Sequence, residues 1–421
     1  MENSDQLPRF FRLKQTFPKT VVRDIPATVF DQLSKVCVDD LAGKSIAITV
    51  GSRGIANLAI IVKACVDYFK SRGARPKLVP AMGSHGGGTA EGQKGLLASF
   101  GVTEQSMGCP IESSMEVIEV TQAKEGFPVY FDRAASEADF VLVLNRIKPH
   151  TRFVGAIESG LMKMMLIGLG KQKGAEVYHR VISNYSFDQI VRSVAQTVVS
   201  RCRILAGLAI LENAYEETAS LVGVRAGEIE STEPTLLAQV KAWMPKLPFD
   251  QAELLIVDQI GKNISGTGMD TNIIGRKYND IAAINGDKPN IHHIYIRSLT
   301  EETHGNASGI GLAQLCHRRV VEAIDREVTR NNCITACHVS AGAIPLDFAN
   351  DRSALRVACV MAGYIQPAQL TSMWIHDTLS LDEIECSEAF FEAAKANSQF
   401  EILSEPTSLQ FDAEGDLLPR F

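Results

Sequence analysis

NRIKPHTRFVGAIESGLMKMMLIGLGKQKGAEVYH, residues 145–179, follows directly on an apolar run, Ala138-Asp139-Phe140-Val141-Leu142-Val143-Leu144. The run has the length and β-branched content of a buried strand. The quoted stretch then brings Lys148, His150, Lys163, Lys171, Lys173 and His179 together with five glycines in one strand-to-helix region. A chain that leaves the carboxyl end of a buried strand through a Pro-His and Gly-rich loop lies where α/β sheets hold their ligands. The rest of the protein is read as building a pocket around this loop.

Working outward, the same punctuation recurs. Ile46 to Val50 reads as a buried strand, Gly51-Ser52-Arg53-Gly54 as a tight loop, and Asn57 to Tyr68 as a helix by its periodicity. Pro76 to Met82 is the next strand. It runs into Gly83-Ser84-His85-Gly86-Gly87-Gly88, and a helix from Thr89 to Phe100 follows with Thr89 as N-cap. Met115 to Val120 and Pro128 to Phe131 are shorter strands, and Arg203 to Leu211 is another buried one. Strands alternating with helices at this spacing predict βαβ units and a mostly parallel sheet.

A boundary falls at Lys246-Leu247-Pro248-Phe249-Asp250, and Leu254 to Asp258 opens a second unit of the same kind. Gln259 to Arg276 is then a long Gly/Asn/Ser loop. A strand at Ile291 to Ile296, helices over Arg318–Arg330 and Arg352–Met361, helix-like residues Ser387 to Ala396 and a short strand Phe400 to Leu403 complete the chain. The expectation is two α/β domains with mostly parallel sheets, 1–247 and 248–421, with an active-site cleft between them. The second would close over the substrate, and the last segment has the option of packing back on the first. Residues 1–43 carry an amphipathic segment, Val29 to Leu41, and little functional information.

Totals set the class. At 421 residues the chain exceeds the size at which one core keeps growing. Hydrophobic content of 45%, charged content of 22% and a mean hydropathy of +0.02 describe an ordinary folded protein. A net charge of −7 argues against a nucleic-acid partner. No apolar run approaches the ~18 residues that span a bilayer, and the start has no signal-peptide pattern. Nine cysteines, none in C-x-x-C spacing, read as reduced and mostly buried thiols of a cytoplasmic protein; Cys333 to His338 is one residue too long for a c-type haem site.

In a parallel sheet the carboxyl ends of the strands share one edge, so Arg53, His85 and His150 are expected to meet there, followed by Lys163 and His179. Taken singly, each has a bland reading: a lone histidine is usually structural, and Lys163 could be a snorkelling surface residue. Two histidines that both follow strands among Gly and Pro are less easily dismissed. Imidazole titrates near neutrality, so either ring suits proton exchange on one face of a substrate. Arg53 offers a fork for a carboxylate. Lys163, flanked by Leu161, Met162, Met164, Met165, Leu166 and Ile167, suits covalent attachment, because an apolar setting lowers an amine's pKa. His179 is a candidate metal ligand, and imidazole takes Ni, Zn or Cu alike.

This set resembles the lactate racemase family, the nickel-pincer-nucleotide enzymes. The family's arginine, its Gly-Thr/Ser-His loop, its Pro-His, its cofactor lysine and its later histidine match Arg53, Gly83-Ser84-His85, Pro149-His150, Lys163 and His179, at successive intervals of 32, 65, 13 and 16 residues here. The likeness covers residues 45–180 well and the C-terminal half loosely. It departs in the His150–Lys163 interval, TRFVGAIESGLM, longer than in lactate racemase itself, which leaves Lys171 and Lys173 as fall-back attachment sites. Gln259-Ile260-Gly261-Lys262 fits the family's Gln-x-x-Lys pair, though the sequence around it does not. The family's substrate-side aromatic has only Trp374 as a candidate, beside the reading of that residue as core.

The resemblance implies an isomerase, a racemase or epimerase that inverts C2 of a 2-hydroxy acid by reversible hydride transfer. Its cofactor would be the nickel-pincer nucleotide, a pyridinium bis-thiocarboxylate mononucleotide with nickel, tethered to Lys163. Catalysis would rest on His85, His150, Arg53 and Lys262, cofactor binding on Lys163, Arg53, Ser52 and Gln259, and nickel on His179. Partners would be the small 2-hydroxy acid and cofactor-biosynthesis proteins, without which recombinant protein would lack the group. Neither nucleic acid nor membrane is expected, and a homo-oligomer is an open option. Asn263, Ser265, Thr267, Asp270, Asn272, His304 and Asn306 suggest a sugar acid such as an aldonate, or are merely turn formers. The alternative is a non-catalytic sugar-acid or nucleotide binding protein. A dinucleotide enzyme is disfavoured because Gly51 to Gly54 is not G-x-G-x-x-G, and a zinc hydrolase because there is no H-E-x-x-H.

Overall fold

The structure, a computed structural model, describes residues 6–52, 54–182, 184–277 and 288–421, and of His179 the backbone only. The chain divides into two units, Pro18–Met244 and a second made of Met1–Phe17 with Pro245–Phe421. The first strand, β1 (Phe10–Gln15), is therefore held by the C-terminal unit, whereas the reading of 1–247 as one domain left it in the N-terminal one. Strand pairing is non-local, and the local pattern of FFRLKQ names no partner. Its buried Phe10, Phe11 and Leu13 find theirs between β14 (Glu383–Ser387) and β15 (Phe400–Ile402), antiparallel to both.

In the N-terminal unit β2 (Ser45–Val50), β3 (Arg75–Pro80), β6 (Phe140–Arg146), β7 (Ile204–Glu212) and β8 (Thr218–Arg225) form one sheet in the order β3-β2-β6-β7-β8. The first four are parallel, and β8 turns back antiparallel on β7. β4 (Val117–Gln122) and β5 (Pro128–Asp132) make a separate hairpin. All nine residues of β7 are buried, as a strand covered on both faces requires. One face packs Val143 and Leu211 under the helices Phe187–Arg201 and Ile229–Trp243, through Val194 and Leu237. The other packs Ile48, Leu144 and Leu208 against Val62 of the helix Leu58–Ser71. Caps set where helices begin. Thr89 accepts the Gly92 amide at the start of Ala90–Ser99, and Ser186 accepts that of Gln189.

The C-terminal unit is built on eight strands in the order β12-β11-β10-β9-β13-β14-β1-β15. Here β9 is Gln251–Ile260, β10 Asn290–Leu299, β11 Leu315–His317, β12 Leu346–Phe348 and β13 Ser372–Ile375. These five run parallel, and β14, β1 and β15 extend the sheet antiparallel. The single helix expected over 318–330 is two, Arg318–Glu322 and Arg326–Thr335, because Asp325 caps the amides of Glu327 and Val328 and restarts it. The helix expected from Ser387 starts later, since that residue ends β14. All nine cysteines are unpaired and seven are buried. Among the described residues no helix is long and apolar enough to cross a membrane.

Candidate active site

The parallel order puts β2 between β3 and β6, so the loops that leave their carboxyl ends are neighbours. The loops carrying His85 and His150 leave strands two spacings apart, roughly 10 Å along the sheet. From β3 the chain turns through Gly83, Gly86, Gly87 and Gly88, all at positive φ. At Gly83 (φ +59°) a Cβ would also lie 2.9 Å from Ile167 Cγ2, so only glycine lets this loop close on the segment after Lys163. His85 is exposed, and its Nδ1 is hydrogen-bonded to Ser52 Oγ from the β2 loop. Its backbone is fixed from below. The fully buried Gln93 donates through Nε2 to the carbonyls of Gly83 (3.0 Å) and His85 (3.3 Å).

Gln93 is itself held by Lys171, whose Nζ reaches Gln93 Oε1 at 3.3 Å, donates to the Pro80 carbonyl and pairs with Asp132 Oδ2 at 3.0 Å. Both members of the pair are wholly buried, and burial pushes the Asp132 carboxyl up and the Lys171 ammonium down. Lys171 is thus a structural cation under the His85 loop, which removes it as a fall-back attachment site. Lys173 is exposed, with its ammonium over the Tyr130 ring.

The longer interval after His150 folds back on itself. Lys148 N donates to the Ser159 carbonyl (2.9 Å) and Asn145 Nδ2 to that of Gly160 (2.7 Å), so the loop closes near the strand it left. The His150 amide donates to Glu158 Oε2 at 2.7 Å, and the buried Glu158 is balanced by Lys241 Nζ at 2.6 Å. His150 Nδ1 accepts the amides of Arg152 (3.0 Å) and Phe153 (3.1 Å). The imidazole stacks on the Phe153 ring at 4.2 Å between centroids, and Phe153 stacks on Phe187 at 4.1 Å.

Lys163 ends a single helical turn, Leu161–Lys163, that widens into a π-turn, Met164–Gly168. Such turns interrupt the regular ladder and gather at functional sites. Lys163 is half-buried, and its Nζ lies 5.8 Å from the centroid of Phe153, the ring that stacks on His150. The turn is anchored by Glu233, whose Oε2 accepts the Met162 amide at 2.9 Å. Burial pushes the Glu233 carboxyl up to about 7 against the opposing pull of the Met162 and Leu161 amides. Gly160 leaves room for it, since a Cβ there would sit 2.3 Å from Glu233 Oε1.

The residues singled out from the sequence, Ser52, His85, His150 and Lys163, lie on these loops and the turn after them, and Gln93, Phe153, Glu158 and Glu233, which hold them, were not among those singled out. Phe153 had a local signal, an aromatic three residues after His150. Glu233 had none, because it acts 71 residues from the turn it holds, and the contact of Gln93 with Lys171 spans 78 residues. Arg53 lies outside the described residues, and so does the side chain of His179, which sits in the helix Lys171–Val181.

In the C-terminal unit Gln259 and Lys262 follow one another at the carboxyl end of β9. Lys262 Nζ donates to the Gly266 carbonyl (2.5 Å), and its amide to Thr303 Oγ1. Trp374 is not available for stacking on a substrate. It is fully buried in β13, with Nε1 on Asp258 Oδ1 at 2.6 Å. Thr267 bonds to Met269 and Asn306 to Ser308 within their own loops, as turn formers do, whereas Asn263 accepts from Thr300 Oγ1 and the Asp270 amide donates to Thr378 Oγ1 on distant segments. His317, Asp351 and Asp416 cluster with ligand-type atoms within 4.8 Å of one another, but Arg297 and Arg319 already take the carboxylates.

Comparison with known proteins bears on the N-terminal unit most. Residues 42–188 match the model of the lactate racemase N-terminal domain. The fold is similar to the lactate racemase apoprotein from Thermoanaerobacterium thermosaccharolyticum, at 12% identity and a TM-score of 0.51 over 88% of this chain and 99% of that one. A Thermotoga maritima crystal structure is similar at a TM-score of 0.47 and 12% identity, over 67% of this chain and 71% of that one. No curated protein sequence matches the chain.

Proposed function

We propose that this chain, a member of the lactate racemase family through residues 42–188, is a racemase or epimerase that inverts C2 of a 2-hydroxy acid. One observation carries the proposal furthest. The Lys163 amine lies over the same aromatic ring that stacks on His150, so the expected tether and one expected proton-handling imidazole share a wall. The residues present fit a tethered nucleotide. Lys163 is half-buried on an open turn, whereas Lys171 is used up in the core, and Gly83 and Gly160 keep the surrounding loops low.

When bound at Lys163, the family's nickel-pincer nucleotide would supply a hydride acceptor, with His179 as its ligand from the protein. The chain's own residues have the remaining tasks. His85, paired with Ser52, faces the β2 loop and handles the substrate hydroxyl proton. His150 is held rigid by Phe153 and Glu158 and meets the same oxygen from the β6 side. Phe153 and Phe187 exclude water behind it. Arg53 is assigned the carboxylate on the chemistry of its guanidinium. Asn263, Thr267, Asp270 and Asn306 already bond to other protein groups, so the substrate class is kept at a 2-hydroxy acid, with a sugar acid as one member of it.

The test is to produce the full chain together with cofactor-synthesis proteins, then measure intact mass, nickel content and interconversion of the enantiomers of a 2-hydroxy acid panel. The expected result is an adduct on the peptide that contains Lys163 and loss of both adduct and activity in Lys163→Ala. A nickel-free protein that binds a 2-hydroxy acid without turnover would make it a binding module instead.

A further inference from the structure

We propose that Glu233 and Lys241, both on the helix Ile229–Trp243, are positioning residues: they clamp the segment 158–162 at its two ends and so hold Lys163 and His150 in one register. The consequence for turnover rests on the reading of Lys163 as the tether and His150 as a proton-handling imidazole. The clamp itself rests on geometry.

The twelve residues between His150 and Lys163 do not run straight from one to the other. They turn back, so that Glu158 Oε2 accepts the His150 amide at 2.7 Å, and Lys163 follows five residues later. The piece in between is held from both sides. Lys148 N donates to the Ser159 carbonyl and Asn145 Nδ2 to that of Gly160, both from the carboxyl end of β6 or just after it. From the other side the helix supplies Lys241 Nζ, 2.6 Å from Glu158 Oε1, and Glu233 Oε2, which accepts the Met162 amide at 2.9 Å. Leu161 and Met162 pack in the same buried cluster as Leu236, Leu237 and Val240 of that helix. Two glycines let the parts close up. A Cβ at Gly160 would lie 2.3 Å from Glu233 Oε1, and one at Gly207 would lie 2.5 Å from Leu161 Cδ1.

The two anchors are eight residues apart, which is about 12 Å of helix rise. A loop tied at one end drifts at the other, whereas one tied at both ends to a single helix keeps its span. The His150 backbone hangs on Glu158, and Lys163 directly follows Met162, so the imidazole and the amine inherit that span. The anchors work by different means. Glu158 is a carboxylate held between an amide and an ammonium. Glu233 acts through reach: burial pushes its carboxyl up to about 7, so the bond to Met162 does not depend on its charge.

The experiment separates reach from charge. Glu233→Gln keeps the length and removes the charge, and Glu233→Asp keeps the charge and shortens the reach. Lys241→Met removes the second anchor, and Lys241→Arg returns a cation. In the full chain free of cofactor, acetic anhydride labelling of Lys163 is read by peptide mass spectrometry as a ratio to the exposed Lys173. The Lys163 amine is half-buried over Phe153, so its labelling reports its placement. Glu233→Asp is expected to shift the ratio severalfold, and Glu233→Gln to leave it at the native value. Lys241→Met is expected to move the His150 ring signals in 15N-histidine NMR, assigned by their loss in His150→Gln, and Lys241→Arg to return them. A general loosening would instead raise Lys173 labelling equally and move the His85 signals as well.

In cofactor-loaded protein, counted per chain that carries the adduct, Glu233→Asp and Lys241→Met are expected to lower kcat on the order of 10²-fold with KM held within about twofold. A native labelling ratio in Glu233→Asp overturns the clamp, and so does an equal effect in Glu233→Gln. Native His150 signals in Lys241→Met overturn it too, and that variant decides the matter if Glu233→Asp does not fold. If loaded native protein isomerises no 2-hydroxy acid, the isomerase reading fails, while labelling and NMR still decide the clamp.

Discussion

Glu233 Oε2 accepts the Met162 amide at 2.9 Å, so a carboxyl 71 residues further along the chain fixes the turn that ends in Lys163. The group is fully buried, and its Oε1 has no hydrogen-bond partner. Burial raises its pKa from 4.5 to about 7. The folded state therefore binds more protons than the unfolded one between those values, and stability falls as pH rises through that window. Glu233→Gln keeps the acceptor and removes the charge. Urea unfolding at pH 5 and pH 8 should show a loss on the order of 1–3 kcal/mol across the window in the native sequence and a flatter profile in the variant.

Lys171 and Asp132 form a wholly buried pair. Lys171→Met leaves a carboxyl in the core without its cation, a change that costs about 3–5 kcal/mol. Lys171→Met with Asp132→Leu removes both charges and should recover most of that loss. Chemical denaturation of the two variants checks the order, and equal stabilities would contradict the pairing.

Gln93 supports the His85 loop through two carbonyls. Gln93→Leu fills the space but leaves those carbonyls without their donor and Lys171 without one of its acceptors, at about 1–3 kcal/mol. Amide hydrogen exchange should speed up first in residues 83–89, while β7 keeps its protection.

Removing residues 1–17 takes away β1, with buried Phe10, Phe11 and Leu13. At about 1.5–3 kcal/mol for each side chain, the eight-stranded unit should lose more than about 4 kcal/mol. Limited proteolysis should then cut within 245–421 and spare 18–244. Cleavage spread first through 18–244 would reverse that assignment.

Phe153 stacks on both His150 and Phe187. Phe153→Leu should cost about 1–2 kcal/mol, the worth of stacked pairs with little lost area. It should also broaden the His150 ring signals, because the plane is no longer held.

Much of this was legible in the residues themselves. Ile46–Val50, Ala138–Leu144 and Arg203–Leu211 are apolar runs of strand length, and their period and flanking glycines place Ser52, His85 and His150 at strand ends without any coordinates. The same is true of Thr89 as a cap, since capping is decided within one turn. What the residues left open is what depends on distant partners.

The sequence by itself determined a parallel α/β unit whose strand-end loops carry Ser52, His85 and His150, with Lys163 following the last of them, because hydrophobic period, caps and glycine turns act over a few residues. Only the tertiary structure decided that β1 joins the C-terminal sheet, that Trp374 is core, and that Lys171 is a buried counter-ion while Lys163 stays half-exposed. Each of those depends on a partner far along the chain: Glu385 and its neighbours for β1, Asp258 for Trp374, Asp132 for Lys171. Burial and pairing are set by which surfaces meet, and no local pattern carries that information.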